Sequence, residues 1–446
     1  MSRIFVDLHS EADSVKPLHA VNNGPVKRGV MGHCGDIEAF RAAGIPYVRN
    51  HDASINYFHG GERIVDVHGI FPNFDADEND PASYYFAHTD RYLSYIEQSG
   101  AKTFYRLGES IDHAPVKSHI FPPKDNKKWA VICEHIIAHY TEGWADGYTW
   151  DIPYWEIWNE PDNFEDIVDN DMWQGTPEQY FELYVTAANH LKSRFPHLKI
   201  GGYGSCGFYA VTGTDASAAA KSTPRFNYFV EFAHAFFKYI TDPAHPAPLD
   251  FFSWHSYANR VEDNIKFALY ARNLLDSYGF TACESILNEW NPRPVNPATF
   301  NKPEDAAAIM ANFAALHDVG VDVATYYVGD PGSGYCKVFD TAGNTAKAWE
   351  AFRAYGEAYR LGTCIASTQA APVWSLAATD GEKTLLILTN DSREPQECTL
   401  DIPGLRIAAL RAVDEEHNCT PLAELPSGNS LTLAPWQILL CELISK

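Results

Sequence analysis

The chain holds 446 residues, 46% hydrophobic and 21% charged, which describes an ordinary globular protein with a sizeable core and excludes disordered and fibrous classes. Its formal charge of −24, from 58 acidic against 34 basic residues with no dense Lys/Arg run, disfavours nucleic acid, anionic membranes and polyanions, and fits a neutral substrate better than a uronic acid. The opening residues lack the apolar core of a secretory signal, no run of about 18 apolar residues could span a bilayer, and the nine cysteines are odd in number and scattered, so a cytoplasmic protein with reduced thiols is expected.

A strand-like piece, Ile4-Phe5-Val6, comes first and is expected to pair away from the main pattern. Strand and helix then alternate: strand 18–22, helix 36–43, strand 46–52, a polar and aromatic insertion over 53–87, helix 88–99, strand 102–108 and helix 126–143. The rhythm continues with strand 154–160, helix 177–194, strand 198–203, a small-residue loop 204–223 read as lid-like, helix 226–239 and strand 249–257. Helix 261–278, the strand ending at Glu289, helix 303–318, strand 321–327 and helix 346–359 complete eight units. Eight βα units predict a (β/α)8 TIM barrel over residues 17–360. Beyond Leu361, short segments at 373–378, 384–389, 397–402, 406–413 and 438–442, separated by turn residues, predict an accessory β-sandwich domain of 361–446 joined by 1–16.

Two strand ends carry the chemistry. Trp155-Glu156-Ile157-Trp158-Asn159-Glu160-Pro161 reads as a strand that alternates until Pro161 stops the ladder, leaving Glu160 at its C-terminal end. Ser285-Ile286-Leu287-Asn288-Glu289-Trp290-Asn291-Pro292 repeats the plan with Glu289. Cleaving a glycosidic bond needs an acid for the leaving oxygen and a second carboxylate across the sugar ring, while aromatic faces stack on sugars and amides bond hydroxyls. Arg49, His51, Glu160, His255, Tyr257, Glu289 and Tyr327 all fall at C-terminal strand ends, where barrel sites are built. Arg49 is expected to be structural, pairing with a barrel carboxylate such as Glu156, and Tyr203, Tyr57 and Phe58 are cleft-wall candidates.

Two patterns are discounted. Gly202-Tyr203-Gly204-Ser205-Cys206-Gly207 fits a dinucleotide fingerprint, but no helix opens directly behind it and no acidic residue follows at the ribose position. His135 and His139 share a helical face, yet Ile136 stands where a metalloprotease places its glutamate.

The pieces Val48-Arg49-Asn50-His51, Trp155 to Pro161, Phe252-Ser253-Trp254-His255-Ser256-Tyr257 and Leu287-Asn288-Glu289-Trp290-Asn291 resemble glycoside hydrolase family 39, the β-xylosidase and α-L-iduronidase family of clan A. The resemblance implies a retaining double displacement with Glu289 as nucleophile and Glu160 as acid/base, the latter carrying a proton near neutrality. It further implies that Asn159 bonds the 2-hydroxyl or the nucleophile, that Tyr257 holds Glu289, that His51 and His255 bind hydroxyls, and that Trp290 and Tyr327 face substrate. Tyr326-Tyr327 departs from the family by standing where a tryptophan platform is expected.

The leading expectation is a retaining exo-glycosidase acting on a neutral pentose-type glycoside, a β-xyloside or arabinoside, with no metal or cofactor and with homo-oligomerisation open. An α-L-iduronidase-like or β-glucosidase-like specificity is the alternative within the fold; uronic acids would need a cationic clamp, for which Arg49, Arg106 and Lys337 are the candidates. A non-catalytic carbohydrate-binding barrel, needing no carboxylate pair, is the rival of another class, and a divalent-metal barrel hydrolase is a third.

Overall fold

The computed structural model describes residues 2–8, 10, 13–25, 36–53, 63–211, 224–293, 298–330, 335–340, 342–426 and 428–446. Strands β1 (Ser2–Asp7) and β2 (Asp13–Ser14) precede β3 (Ala20–Asn22), β4 (Tyr47–Asn50), β5 (Lys102–Leu107), β6 (Tyr154–Ile157), β7 (Lys199–Ser205), β8 (Phe251–Ser256), β9 (Glu284–Trp290) and β10 (Val323–Tyr326). The last eight are parallel and close in the order β10-β3-β4-β5-β6-β7-β8-β9. Helices 37–43, 87–99, 126–141, 177–194, 224–240, 261–277, 303–317 and 349–361 follow these strands in turn, giving the TIM barrel expected from the alternation. Helix 177–194 shows how locally the boundaries are written. The Thr176 hydroxyl accepts the Gln179 N–H, the Gln179 side chain accepts the Thr176 N–H, and Pro177 occupies the first turn.

Barrel strands are buried on both faces. Outward side chains such as Trp155, Trp254 and Leu287 pack beneath the helices. Inward ones stack in layers. Phe104, Tyr154, Phe251, Ile286 and Val323 plug the N-terminal end, with the Phe104 and Tyr154 rings stacked at 5.0 Å. Above them lies a polar layer of Asn22, Arg49, Arg106, Glu156, Ser253, Asn288 and Thr325, each fully buried.

The accessory domain adds β11 (Thr363–Ser367), β12 (Val373–Thr379), β13 (Thr384–Asn390), β14 (Gln396–Asp401), β15 (Leu405–Val413), β16 (Asn418–Pro421), β17 (Ser430–Leu433) and β18 (Ile438–Ser445). Its sheet runs β16-β15-β18-β13-β12-β11-β1-β14-β17, with β2 on β11, so the N-terminal strand does join it. The sheet folds over a core in which Ile4, Leu400 and Leu431 meet Leu386, Leu410 and Leu439. The alternate residues Trp374, Leu376, Leu385, Ile387 and Leu440 face the other way and enter the barrel's core cluster, against helices 303–317 and 349–361. Alternation thus gives one sheet two buried faces.

Several details differ from the expectation. Strand β6 ends at Ile157, before Pro161, because Trp158 and Glu160 adopt φ of +73° and +46°. The Trp158 N–H still reaches Leu107 O, but the Glu160 N–H bonds Tyr203 O and Gly204 O instead of continuing the ladder. The insertion 53–87 contains a short helix at 67–70, and Tyr57, Phe58 and loop positions 212–223 lie outside the described residues. Strands β11, β16 and β17 were not expected. The eight described cysteines are buried free thiols, and no helix among the described residues is long and apolar enough to cross a membrane.

Candidate active site

The polar layer is the floor on which the site stands. Arg49, at the end of β4, donates from Nε to Glu156 Oε2 at 2.8 Å, from Nη1 to Asn22 Oδ1 at 3.0 Å and to Glu289 Oε2 at 3.3 Å, and from Nη2 to Asn159 Oδ1. Pairing with Glu156 was expected; the direct contacts to Glu289 and Asn159 were not. Glu156 also accepts from Ser253 Oγ at 2.6 Å and from the Asn288 amide. A buried guanidinium between two carboxylates meets the condition under which buried charge is tolerated: paired and fully hydrogen-bonded.

Glu289 reaches the site through an irregularity in β9. Against β8 the pairing skips from Trp254–Leu287 to His255–Glu289, leaving Asn288 as an extra residue. Asn288 and Glu289 therefore both face inward, one toward Glu156 and the other toward the cleft. The same offset turns Trp290 outward. It is fully buried between Phe313 and Tyr326, so its assignment as a substrate-binding residue is corrected.

Glu160 and Glu289 meet through His255. Its Nδ1 lies 2.7 Å from Glu160 Oε1 and its Nε2 lies 3.8 Å from Glu289 Oε2. One carboxylate oxygen of each glutamate and a nitrogen of His255 fall within 4.8 Å of one another. The Tyr257 hydroxyl donates to Glu289 Oε1, and the Asn163 amide donates to Glu160 Oε2 at 2.9 Å. Asn163 cannot turn over, because Arg225 holds its carbonyl at 2.9 Å and its Oδ1 at 3.2 Å. Both oxygens of Glu160 therefore have partners, His255 Nδ1 on one and the Asn163 amide on the other.

Burial pushes the Glu160 carboxyl up, but the hydrogen bond and charge of His255, joined by Asn163, outweigh it and hold the group below its ordinary range. Burial lowers His255, and the charges of Glu289 and Glu160 more than reverse that, raising it. Both shifts run against the proton on Glu160 that the resemblance implies. His255 is fully buried between the carboxylates, so it orders them and does not meet hydroxyls as expected.

The cleft, about 450 Å³, is lined by His51, Asp52, Asn159, Glu160, Tyr257, Glu289 and Tyr327 among others. The Asn159 amide lies 3.2 Å from His51 Nε2, which is also 3.1 Å from Asp52 Oδ2. Burial raises the Asp52 carboxyl, but the charge and hydrogen bond of His51 overcome this and bring it to about 2. Tyr257 stacks on Tyr335 at 4.3 Å, and Tyr327 stands edge-on to both. Behind Glu160, the buried Asp162 accepts from Ser205 Oγ at 2.8 Å and from the Cys206 N–H at 3.2 Å. Burial and the Glu160 charge push its carboxyl up to about 7.

Other candidates lie elsewhere. Tyr203 is buried among Tyr180, Phe232, Phe236 and Phe252, away from the cleft. The glycine pattern has a packing cause: a Cβ on Gly204, at φ +64°, would lie 2.9 Å from Asn159 Oδ1 and 3.1 Å from His255 Nε2. His135 and His139 stack on Trp144 and Phe86. Among the described residues, two groups have ligand spacing for a cation, Glu160-His255-Glu289 and Asp66-His68-Glu109. Each carries a guanidinium on one of its carboxylates, Arg49 on Glu289 and Arg106 on Asp66, which opposes a second cation. Asn163, Arg225, Asp52 and Asp162 were missed; Asn163 and Asp162 lie within a few residues of Glu160, but beyond Pro161 the strand pattern gives no direction for a side chain.

The sequence profile of Glycosyl hydrolases family 39 matches residues 26–308. A beta-xylosidase of Geobacillus stearothermophilus is 27% identical over 49% of this chain and 39% of its own length. One of Caldicellulosiruptor saccharolyticus is 25% identical over 59% of this chain and 51% of its own. The chain thus spans about half or less of the length of these relatives. Among solved structures, a glucosidase from Croceicoccus marinus superposes with a TM-score of 0.78 at 22% identity, covering 100% of this chain and 99% of its own. A monomeric beta-xylosidase from Caulobacter crescentus gives 0.69 at 15%, covering 100% of both. These two establish likeness of fold. The profile spans well over half of the sequence, and the chain belongs to Glycosyl hydrolases family 39.

Proposed function

We propose that the protein is a retaining exo-glycoside hydrolase that releases a neutral pentose-type sugar, a β-xyloside or arabinoside, with Glu289 as nucleophile and Glu160 as acid/base. The observation that carries this reading is the approach of Glu160 and Glu289 oxygens to within 4.8 Å, with His255 between them. A nearest approach of this size is on the side of the roughly 5–5.5 Å of retaining pairs rather than the about 6.5–9.5 Å of inverting pairs.

In the first step Glu289, aligned by Tyr257 and Arg49, attacks the anomeric carbon while Glu160 protonates the departing oxygen. His255 Nδ1, 2.7 Å from Glu160 Oε1, is placed to exchange a proton with it. Once Glu289 is esterified its negative charge is gone. Glu160 then acts as base toward the incoming water. Asn159, its carbonyl held by Arg49 and its amide beside His51 Nε2, presents that amide to the cleft where a sugar hydroxyl would lie.

A neutral sugar is supported by where the cations lie. Arg49 and Arg106 are fully buried on Glu156, Glu289 and Asp66, Lys337 is not among the cleft-lining residues, and Arg225, which does line the cleft, bonds Asn163. The beta-xylosidase relatives favour a pentose. A glucoside is the second reading, favoured by the fold shared with the glucosidase. A panel of aryl pentosides and hexosides of both anomers tests the sugar. Glu289→Ala and Glu160→Ala should each lower kcat/KM for the preferred glycoside at least about 10⁴-fold with the fold intact. Azide should rescue the Glu289 variant to a glycosyl azide of inverted configuration. Wild-type turnover in either variant removes the assignment.

A further inference from the structure

We propose that the outer half of the cleft, beyond Glu160, receives an aromatic or otherwise apolar alcohol as leaving group rather than a second sugar; the inference rests on the assignment of Glu160 and Glu289 above. Glu289 fixes where the anomeric carbon lies, and Glu160 fixes where the bridging oxygen lies. The leaving group must therefore sit on the side of Glu160 away from Glu289.

The two halves of the cleft differ in chemistry. Around Glu289 stand His51, Asp52, Asn159 and Tyr327, all able to meet hydroxyls. Around the far side of Glu160, the segments after β6 and β7 and the start of helix 224–240 bring Met172, Cys206, Phe226 and Phe229 to the wall. Phe226 and Phe229 pack edge to face at 5.7 Å, and Phe226 lies 5.0 Å from the Tyr209 ring.

Asn163, Arg225 and Tyr209 on that side each already bond the protein. Asn163 serves Glu160 and Arg225. Arg225 spends Nε and Nη2 on Asn163, while its guanidinium lies flat at 3.9 Å over Phe164 and 5.5 Å from Phe229. The Tyr209 hydroxyl accepts the Tyr257 N–H at 2.9 Å. His113 stands at the rim, exposed to water. Among the described residues, a sugar bound there would give up hydration at several hydroxyls and find few partners in return. A flat apolar ring gives up little and is covered by phenylalanine, methionine and the guanidinium plane.

The test uses the partition of the glycosyl-enzyme, because rate effects on its formation cancel in a product ratio. With whichever aryl glycoside turns over fastest as donor, 2-phenylethanol and a methyl glycoside of the same sugar are offered at equal concentration. Transfer to 2-phenylethanol should exceed transfer to the methyl glycoside by at least about fivefold. Phe229→Ala, and separately Phe226→Ala, should cut the phenylethanol-to-water ratio about fivefold or more and leave the methyl-glycoside-to-water ratio unchanged. Preferred transfer to the sugar, or an unchanged phenylethanol ratio in both variants, overturns the inference while the catalytic assignment stands. No turnover of any aryl glycoside overturns that assignment, and this inference falls with it.

Discussion

The two ends of the barrel's interior are built on opposite principles. At the N-terminal end Phe104, Tyr154, Phe251, Ile286 and Val323 form a dry plug whose contribution is packing. Two residues further along the same strands, Arg106, Glu156, Ser253, Asn288 and Thr325 replace it with buried charge and amide, at the same full burial. The difference shows that strand position, not burial, separates stability from function here. The polar end is tolerated because each charge has a partner, and it is useful because those partners set the direction of Asn159 and Glu289.

Breaking the polar end should cost both activity and stability. Arg49→Met removes the cation shared by Glu156, Glu289 and Asn159, and is expected to lower kcat/KM about 10³-fold or more and unfolding free energy by about 3–5 kcal/mol, since it leaves buried carboxylates uncompensated. Denaturant unfolding beside steady-state kinetics checks both. Breaking the plug should cost stability alone. Phe251→Ala is expected to lose about 3–5 kcal/mol with kcat of the folded enzyme within about twofold of wild type, by the same two measurements. A kcat loss matching that of Arg49→Met would erase the distinction between the ends.

The last effect, on stability alone, sharpens the boundary between the rim of the cleft and its support. Asp162 is buried and its carboxyl is pushed up to about 7, so the folded protein holds a proton that the unfolded chain releases near pH 4. Its contribution is present at low pH and is lost as pH rises through about 7, a change on the order of 4 kcal/mol across that window if Asp162 acts alone. Asp162→Asn should flatten the fall of Tm between about pH 4 and 7. A wild-type profile unchanged by the substitution would show that Asp162 titrates normally.

Much of this architecture was written in the sequence. The alternation of strand and helix placed every barrel strand, and a carboxylate beside tryptophan and asparagine ahead of a proline pointed to Glu160 and Glu289. Hydrophobic periodicity could not register conformation that breaks the period. The positive φ of Trp158 and Glu160 ended β6 early and turned Asn163 back onto Glu160. The extra residue at Asn288 put two successive side chains inside and sent Trp290 to the helix layer. His255 was legible as a site residue but not as the imidazole that links the two glutamates, because that depends on two carboxylates from distant strands closing on one ring. Arg225 carried no local signal, since its partner Asn163 lies 62 positions earlier in the chain.

The anomeric configuration of the first-formed sugar decides the central issue. Proton NMR of the preferred glycoside, followed from the first seconds of hydrolysis before mutarotation, should show the anomeric signal of the substrate's own configuration. Initial appearance of the opposite anomer would mean that Glu160 and Glu289 do not work as nucleophile and acid/base across a single ring.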